Sequence, residues 1–284
     1  MAAPLSVHQH RRKCAAALLL AAVGFARCAL AKEEPLYEFG LGLGAIIFED
    51  YRGSDTAHGY PLPLPYILYN GKFLKANRDG IRGQLFNQDR FELNLSFDAT
   101  TPVRSDRERS GMPDLKSTVE LGPSFDLHLM RSADRRVKLD LRMPVRAAMT
   151  VESSPKIIGW TFTPRLALDI RSPLGFEGWN LGILTGPLVA DRRYNNYFYT
   201  VAPQYATATR PAYQAGGGYA GTQFITALSK RFPKFWVGAY VRYDTLADAA
   251  FVESPLVQRK SYLVGGIGFS WIISKSSRMV EVPD

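Results

Sequence analysis

Strict alternation of apolar and polar residues most limits how this chain can fold. Residues 90–98 read Arg-Phe-Glu-Leu-Asn-Leu-Ser-Phe-Asp, and residues 136–143 read Arg-Val-Lys-Leu-Asp-Leu-Arg-Met. Because successive side chains of a β-strand point to opposite faces, each segment has one apolar face and one face with several charges. The pattern therefore predicts strands with an apolar environment on one side and a wet one on the other.

The first 31 residues have the parts of a secretory signal peptide. Residues 11–13 are basic, residues 14–26 form an apolar stretch, and residues 29–31 read Ala-Leu-Ala, a small-x-small cleavage site. The apolar stretch is shorter than the about 20 residues that a membrane-spanning helix needs. We predict cleavage before Lys32, so that 1–31 is a signal peptide.

Two alternatives to cleavage concern the same segment. An uncleaved anchor helix is disfavoured because Arg27 interrupts the apolar run, and a lipoprotein modified at Cys28 is disfavoured because Arg27 stands where a small residue is expected. Both cysteines, Cys14 and Cys28, lie within the predicted signal. The mature chain then has no cysteine and is not a disulfide-stapled secreted module.

Net charge says little about partners once the signal is removed. The signal holds four basic residues and no acidic one, so the formal charge of +9 becomes +5. This excess is too small to indicate nucleic-acid binding, and the more natural partners of an exported protein with such a charge are anionic lipids or glycans.

Strand-like runs bounded by turn residues recur along the mature chain, and no segment shows a sustained helical period. No linker or low-complexity tract interrupts them, so we predict one domain over residues 32–284. The twelve predicted strands are 36–48, 61–69, 72–76, 81–86, 90–98, 115–130, 136–150, 158–171, 176–189, 213–232, 235–245 and 260–273.

Connection lengths support the count of twelve. With 72–86 split into two strands, long connections (49–60, 99–114, 151–157, 190–212, 246–259) alternate with short ones (70–71, 87–89, 131–135, 172–175, 233–234). In bacterial outer-membrane barrels the short turns face the periplasm and the long loops face outward. The parity therefore predicts an all-β, transmembrane, antiparallel up-and-down barrel with both termini in the periplasm.

A soluble β-sandwich is the alternative fold, because alternation also places apolar faces inward in a sandwich. A sheet that spans lipid must close to satisfy every backbone group, and aromatic residues gather at the membrane interfaces. The barrel is favoured because many aromatic residues lie near predicted strand ends, where such girdles form. These are Tyr66, Tyr69, Trp160, Trp179, Tyr197, Tyr199, Trp236 and Trp271.

Segments across nearly the whole mature chain together resemble the MipA/OmpV family of outer-membrane proteins. They are Asp-Tyr-Arg-Gly-Ser-Asp at 50–55, Pro-Leu-Pro-Leu-Pro-Tyr at 61–66, Tyr-Asn-Gly at 69–71, Tyr-Phe at 197–198, Arg-Pro-Ala-Tyr-Gln-Ala-Gly-Gly-Gly at 210–218, Leu-Ala-Asp-Ala-Ala at 246–250 and Ser-Pro-Leu-Val at 254–257. One departure is the C-terminus: such barrels usually end in an aromatic residue, whereas this chain continues past Phe269 and Trp271 to Asp284.

The resemblance implies an outer-membrane barrel in contact with outer-membrane lipid and lipopolysaccharide. It also implies a scaffolding role, because the family takes its name from interaction with a membrane-bound lytic transglycosylase, in a complex that includes a murein synthase.

The residues themselves offer little catalytic chemistry. Ser54, Asp55 and His58 form a conceivable triad, but on a flexible loop they are not expected to hold the geometry of proton transfer. Asp126 and His128 share the polar face of one strand, and we interpret them as a lumenal hydrogen-bonded pair. With two histidines and no cysteine in the mature chain, we expect no zinc site and no cofactor.

Three further motifs have ordinary structural explanations. The glycines at 216–218 lack the Gly-Lys-Ser/Thr of a phosphate loop and predict a bulge or bend where a strand begins. The prolines at 61, 63 and 65 predict an irregular strand entry, because proline removes ladder donors. Arg104, Arg107 and Arg109 crowd one long loop, either as a solvated charged loop or as a contact to lipopolysaccharide phosphates.

The predicted lumenal faces carry charges of both signs. We predict that these charges pair and fill the bore, since twelve strands leave only a modest interior. The residues are Glu92, Asp126, Lys138, Asp140, Arg142, Arg165, Asp169, Arg242 and Asp244.

Taken together, these patterns favour a non-enzymatic outer-membrane scaffold. A narrow channel for small polar or charged solutes is the alternative, and an outer-membrane hydrolase is a distant third.

Overall fold

A computed structural model describes residues 32–71, 73–77, 80–104 and 106–282. Of the described residues, Glu34–Val280 form one compact unit, and residues 32–33 and 281–282 belong to a second. The predicted signal peptide lies outside the described residues and stays a prediction, as does a single domain over residues 32–284. Parts of the turn predicted at 77–80 also lie outside them.

Fifteen strands and one α-helix make up the regular structure of the described residues. The helix α1 is Arg192–Tyr199, and short 3-10 turns occur at Arg107–Arg109, Pro173–Gly175 and Pro203–Tyr205. The strands are β1 Lys32–Pro35, β2 Tyr37–Glu49, β3 Ala57–Asn70, β4 Leu74–Asn77, β5 Gly80–Asn87, β6 Phe91–Thr100, β7 Thr118–Arg131, β8 Val137–Thr150, β9 Ile157–Phe162, β10 Arg165–Arg171, β11 Trp179–Ala190, β12 Gly218–Arg231, β13 Phe235–Thr245, β14 Ser261–Lys275 and β15 Met279–Val282.

The strands β2 to β14 form a closed antiparallel barrel in which each strand pairs with its neighbours in sequence, except that β9 and β10 do not pair with each other. The first strand closes on the last: β14 pairs with β2 from Lys275↔Glu38 to Gly265↔Ile47. Because β9 and β10 both lie between β8 and β11 and follow one another, they occupy one place in the wall. The barrel therefore has twelve strand positions, as predicted.

One predicted strand, 158–171, is interrupted. It divides into β9 and β10 at Thr163 and Pro164, where the backbone N–H of Thr163 donates to the carbonyl of Pro144. Pro164 has no backbone N–H, so a regular ladder cannot pass through that residue. Two short strands at the chain ends, β1 and β15, pair in a separate two-stranded sheet that the sequence did not predict.

The predicted alternation of the connections between the two ends is confirmed, although connection 172–178 has seven residues and connection 151–156 has six. Connections 50–56, 101–117, 151–156, 191–217 and 246–260 lie at one end of the barrel, and connections 71–73, 88–90, 132–136, 172–178 and 232–234 lie at the other. Since Glu38 and Lys275 are register partners, the first and last barrel strands both meet the short-connection end.

The alternation of 90–98 is confirmed residue by residue. Phe97 is 55% exposed on the outer face, whereas Glu92 and Asn94 are buried on the lumenal face. The same two faces continue in β7, where Phe125 lies opposite Leu93 and Asp126 lies opposite Glu92. The outer face is therefore apolar and the lumenal face polar, the pattern of a barrel that has lipid outside.

The predicted aromatic girdle is only half right. Tyr69, Trp160, Trp179 and Trp271 lie on the outer face, but Tyr66 and Trp236 point into the lumen, and Tyr197 and Tyr199 belong to α1. Phe235 and Trp236 show the reason: adjacent strand residues face opposite sides, and Phe235 lies beside Trp271 on the outside.

The prediction of an irregular strand entry at the prolines is wrong. The strand β3 pairs with β2 without a register shift from Tyr37↔Tyr69 to Glu49↔Ala57, so Pro61, Pro63 and Pro65 lie inside a regular strand. A regular strand tolerates them because of the edge of β3 that they face.

Interior glycines lie where the lumen is crowded. A Cβ atom on Gly42 would lie 2.6 Å from the carbonyl carbon of Phe269 on β14. A Cβ atom on Gly268 would collide with the side chain of Leu64 and lie 3.5 Å from the ring of Trp236. Close approach of backbones and large lumenal side chains therefore requires glycine at these positions.

Candidate functional site

The main hydrophobic core of the described residues lies among the long connections. We call the packed connections 50–56, 101–117, 191–217 and 246–260 the loop cap. Its buried apolar side chains include Tyr51, Val103, Leu115, Phe198, Tyr199, Val201, Leu246, Phe251 and Leu256. Loops usually lie on the surface without a core of their own, so the loop cap is a specific structure that covers one end of the barrel.

Aromatic residues from three connections hold the loop cap together. The rings of Tyr199 and Phe251 stack at 3.6 Å, and Tyr51 meets Tyr199 edge-on at 6.2 Å. The hydroxyl of Tyr51 donates to the carbonyl of Leu256 at 2.8 Å, and burial raises the pKa of that hydroxyl. The Ser254 hydroxyl donates to the carbonyl of Tyr199 at 2.7 Å.

The helix α1 begins at a capping residue and packs through small residues. The Asp191 carboxylate accepts the backbone N–H of Tyr194 at 2.8 Å, which satisfies one free donor of the first turn. Gly217 lies against the helix start, because a Cβ atom there would be 2.6 Å from the backbone nitrogen of Arg192. The Asn195 amide donates to the carbonyl of Gly216 at 2.8 Å.

The glycines at 216–218 therefore make room for α1 and lead into β12. The register shift that marks a bulge lies slightly further on, between Pro187↔Thr222 and Val189↔Tyr219. Gly221, with a φ of +106°, is in this bulge. The bulge predicted at 216–218 is therefore displaced by a few residues into β12, where Gly221 has the positive φ.

The three arginines of the second long loop have different environments. Arg109 is buried, and its guanidinium donates to the carbonyl of Phe198 at 2.9 Å; burial lowers its pKa. Arg107 is exposed and pairs with Asp55 at 2.5 Å, and Arg104 is exposed. Arg109 is therefore a structural residue of the loop cap, so neither interpretation of the loop applies to it.

The conceivable triad is not assembled. The Ser54 hydroxyl donates to Asp106 at 2.9 Å, Asp55 pairs with Arg107, and His58 pairs with Asp50 at 3.0 Å. Each of the three residues therefore binds a different neighbour. This arrangement does not form the proton-transfer chain of a hydrolase.

A polar network lies in the lumen below the loop cap. Arg146 pairs with Glu120 at 3.0 Å, and both side chains are buried. Glu120 also accepts from the hydroxyls of Thr161 at 2.8 Å and Tyr194 at 2.9 Å, so α1 is tied to the barrel wall. A buried ion pair is stable only when further hydrogen bonds satisfy its remaining groups, as they do here.

A second buried cluster joins the first long loop to the wall. Asp244 is fully buried, pairs with Arg242 at 2.6 Å and lies 3.5 Å from Arg52. The guanidinium of Arg52 also donates to the carbonyl of Ala220 at 2.7 Å. These contacts tie the first long loop to β12 and β13 inside the barrel.

The interpretation of Asp126 and His128 as a pair is wrong. His128 lies 3.1 Å from Asp140 on β8, whereas Asp126 accepts from Asn94 at 2.9 Å and from Ser124 at 2.5 Å. Residues two apart on one strand share a face, but the closer partners come from adjacent strands.

The prediction that the lumenal charges pair with one another holds for Arg242 with Asp244 and for Arg142 with Asp169, whereas Asp126 accepts from the neutral Asn94 and Ser124. Arg142 lies 3.9 Å from Asp169, and Arg165 donates to Gln223 at 3.0 Å. Near the short-connection end, Arg231 donates to Glu38 at 2.7 Å, and the hydroxyl of Tyr66 donates to Glu38 at 3.2 Å. We call these last three residues the lumen floor.

A cavity of about 300 Å³ lies above the lumen floor. Most of its lining is apolar or glycine, and Asp169, Asn180 and Ser229 contribute polar groups. The apolar lining includes Ile46, Leu62, Leu64, Ala227, Trp236 and Tyr240. We call this space the lumenal cavity; its volume is at the lower end of the range of about 300–1,000 Å³ typical of ligand pockets.

Among the residues that the structure describes, no group of three or more His, Cys, Asp or Glu side chains could hold a metal ion.

No helix in the described ranges is long and apolar enough to cross a membrane.

A closed antiparallel barrel with an apolar outer face, a charged lumen and connections of alternating length defines a β-barrel of the outer-membrane class. The family model described as "MltA-interacting protein MipA" matches residues 41–273. The chain therefore belongs to the MipA family, and the resemblance seen in the sequence is confirmed. No curated protein matches the chain.

Two solved structures are similar to this chain. One is a bacterial polysaccharide outer membrane secretin, with a TM-score of 0.39, 8% identity, and coverage of 84% of this chain and 97% of that one. The other is the toluene transporter TbuX of Ralstonia pickettii, with a TM-score of 0.25, 11% identity, and coverage of 87% and 71% respectively. Similarities at these TM-scores do not indicate a shared function.

The loop cap explains where most of the recognised segments lie. Segments 50–55, 197–198, 210–218, 246–250 and 254–257 are separated by up to about 200 residues in sequence, yet all of them contribute to the loop cap or its edge. The sequence did not predict this assembly or α1. The available signal was the unusual supply of tyrosine, phenylalanine and leucine in connections that were expected to be solvated.

Proposed function

We propose that this protein is a non-enzymatic scaffold in the outer membrane of a bacterial cell, with its short connections in the periplasm. The long connections then face the cell exterior, and β6 runs from the periplasm to the surface. Outer-membrane lipid and lipopolysaccharide would surround the apolar outer face of the barrel.

The observation that carries the proposal is the loop cap. Phe251, Leu246 and Leu256 are buried at its centre, and the Arg146 and Asp244 clusters lie in the lumen beneath it. A channel needs a continuous wet path, and packed loops above paired charges disfavour one. The arrangement therefore favours a scaffold over a narrow solute channel.

The chemistry of the described residues also favours a non-enzymatic role. Ser54, Asp55 and His58 are each bound to a different neighbour, and His128 and Asp140 pair with Arg131 in a lumenal ion cluster. Each of these polar groups has a structural partner that would have to be displaced for catalysis.

The family name suggests the partner class. An MltA-type lytic transglycosylase, and with it a murein synthase, would act on peptidoglycan in the periplasm, so these partners would contact the short-connection end. At that end Leu174 is 95% exposed with a φ of +52°. The left-handed backbone conformation is unfavourable for a residue other than glycine, and exposure of a large apolar side chain to water is unfavourable too. Both observations support a contact role for this connection.

Site-specific cross-linking in cells tests the proposal. A photoreactive residue at Leu174 should capture a peptidoglycan enzyme, and the same residue at Thr209, exposed in the loop cap, should not. Capture at both positions, or at Thr209 alone, would contradict the orientation. Repeated absence of any peptidoglycan enzyme at Leu174, Asp134 and Lys234 would overturn the scaffolding role.

A further inference from the structure

The lumenal cavity is bounded by different kinds of side chain on its two sides. Glycines at 44, 266 and 268, together with Leu62 and Leu64, form an apolar wall on β2, β3 and β14. The polar groups come from the opposite side, on β10 to β12. A slender apolar molecule therefore finds one side of the space that is both open and free of charge.

Buried charged groups of the described residues lie toward both ends of the barrel from this cavity. The loop cap and the Arg146 and Asp244 clusters lie on one side. The lumen floor lies on the other, where Glu38 is buried between Arg231 and Tyr66. Passing either barrier would require breaking buried ion pairs, which is costly.

The hydrogen-bonded ladder of the described residues is interrupted beside the cavity, and we call this interruption the wall opening. In the described part of the chain, β3 pairs with β4 only at Tyr69 and Asn70, although it pairs with β2 along its whole length. On the other side, β6 pairs with β5 only from Glu92 to Leu95 and continues to Thr100. The five residues 96–100 correspond to about 17 Å of strand.

The prolines of β3 line this wall opening. The backbone N–H of Asn70 donates to the carbonyl of Leu36 on the β2 side. Backbone groups alternate along a strand, so even-numbered residues of β3 face β2 and odd-numbered residues face β4. The nitrogen atoms of Pro61, Pro63 and Pro65 therefore all face the edge that has no ladder partner among the described residues.

This placement gives the wall opening a physical basis. An open sheet edge in lipid leaves backbone N–H groups without acceptors, which costs several kcal/mol each. Three alternate prolines remove three of those donors from β3. The same stretch presents Leu62 and Leu64 to the lumenal cavity, so the opening and the cavity meet at one segment.

We propose that the lumenal cavity binds a single acyl chain, or a similarly slender apolar molecule, that enters sideways from the lipid through the wall opening between β3 and β6. The inference needs the membrane location of the barrel and is independent of any protein partner. Trp236 lines the cavity, so it provides a reporter inside the binding site.

Fluorescence quenching tests the binding step. The chain has four tryptophans, and replacing Trp160, Trp179 and Trp271 with phenylalanine leaves Trp236 alone. In phosphatidylcholine vesicles, 11,12-dibromododecanoic acid should quench Trp236 saturably. Ala227→Phe, which fills the cavity, should abolish the saturable component, and Thr226→Phe, which adds the same bulk to the outer face, should leave it intact.

Heat-dependent gel migration confirms that each variant is folded, and Gly182→Leu replaces Ala227→Phe if the latter fails. Quenching that rises without saturation, or that persists in the folded cavity-filled variant, would overturn the binding site.

For the entry route, cysteines at Pro63 and Phe97 would be joined by a bifunctional maleimide. Slower onset of quenching supports lateral entry, and an unchanged rate in the cross-linked protein would overturn it.

Discussion

Truncating Phe251 should open the loop cap without unfolding the barrel. Phe251 is 1% exposed and stacks on Tyr199 at 3.6 Å. Truncation of a buried phenylalanine to alanine costs about 3–5 kcal/mol. If the barrel strands are unaffected, this cost falls on the equilibrium between closed and open loops, whose constant should rise by about 10²- to 4 × 10³-fold.

A matched control is available in Phe176. It lies in a short connection at the other end and is 62% exposed. The remaining burial corresponds to about 1 kcal/mol or less, so Phe176→Ala should leave the loop cap closed.

Limited trypsin digestion in detergent measures the difference. Proteolysis follows the population of the open form when opening and closing are fast, and the loop cap contains several basic residues. Phe251→Ala should be cleaved in its long connections about 10²-fold faster than the Phe176→Ala variant, while both keep heat-dependent migration. Equal cleavage rates would refute the account of the loop cap as a packed, cooperative structure.

Three further predictions concern the wall, the lumen and pH. Gly42→Ala should destabilise barrel closure by about 3 kcal/mol or more because the added Cβ meets the β14 backbone. Gly182→Ala should be neutral because the nearest new contact of its Cβ is 3.6 Å away. The midpoint of the heat-dependent gel shift measures both variants. Arg146→Met should cost about 3–5 kcal/mol because it leaves a buried carboxylate unpaired, whereas Lys260→Met, at an exposed pair, should cost less than about 1 kcal/mol; comparable midpoints would contradict this. Burial raises the pKa of Asp50 above 3.8, so its contribution to stability is present below that value and is lost as the pH rises through the folded-state pKa. The thermal midpoint of Asp50→Asn should therefore match that of the wild type in acid and exceed it at higher pH. A midpoint of Asp50→Asn that falls below the wild type as the pH rises would contradict this sign.

Sequence patterns predicted the parts of this fold that depend on local periodicity. Phe91 to Phe97 alternate with polar residues, and that period alone assigns the two faces of β6. Connection lengths then gave the strand count and the common end for both barrel termini. The two faces of a strand depend only on neighbouring residues in sequence. The strand count and the shared end depend on the rule that each strand of an up-and-down barrel runs from one end of the barrel to the other.

Features that depend on distant residues were mispredicted or missed. A regular strand tolerates Pro63 because its edge of β3 has no ladder partner among the described residues, which depends on how far β4 extends and not on the proline itself. His128 pairs with Asp140 because β8 brings that carboxylate closer than Asp126. The loop cap joins Tyr51 to Leu256, and no local pattern indicates such a contact.

Single-channel recording in planar bilayers tests the capped barrel most directly. The purified wild-type protein, with Phe251 and the Arg146 network in place, should insert and show no discrete conductance steps at moderate voltage. Reproducible unitary steps from wild-type protein of verified folded migration would contradict the obstructed bore and favour a channel.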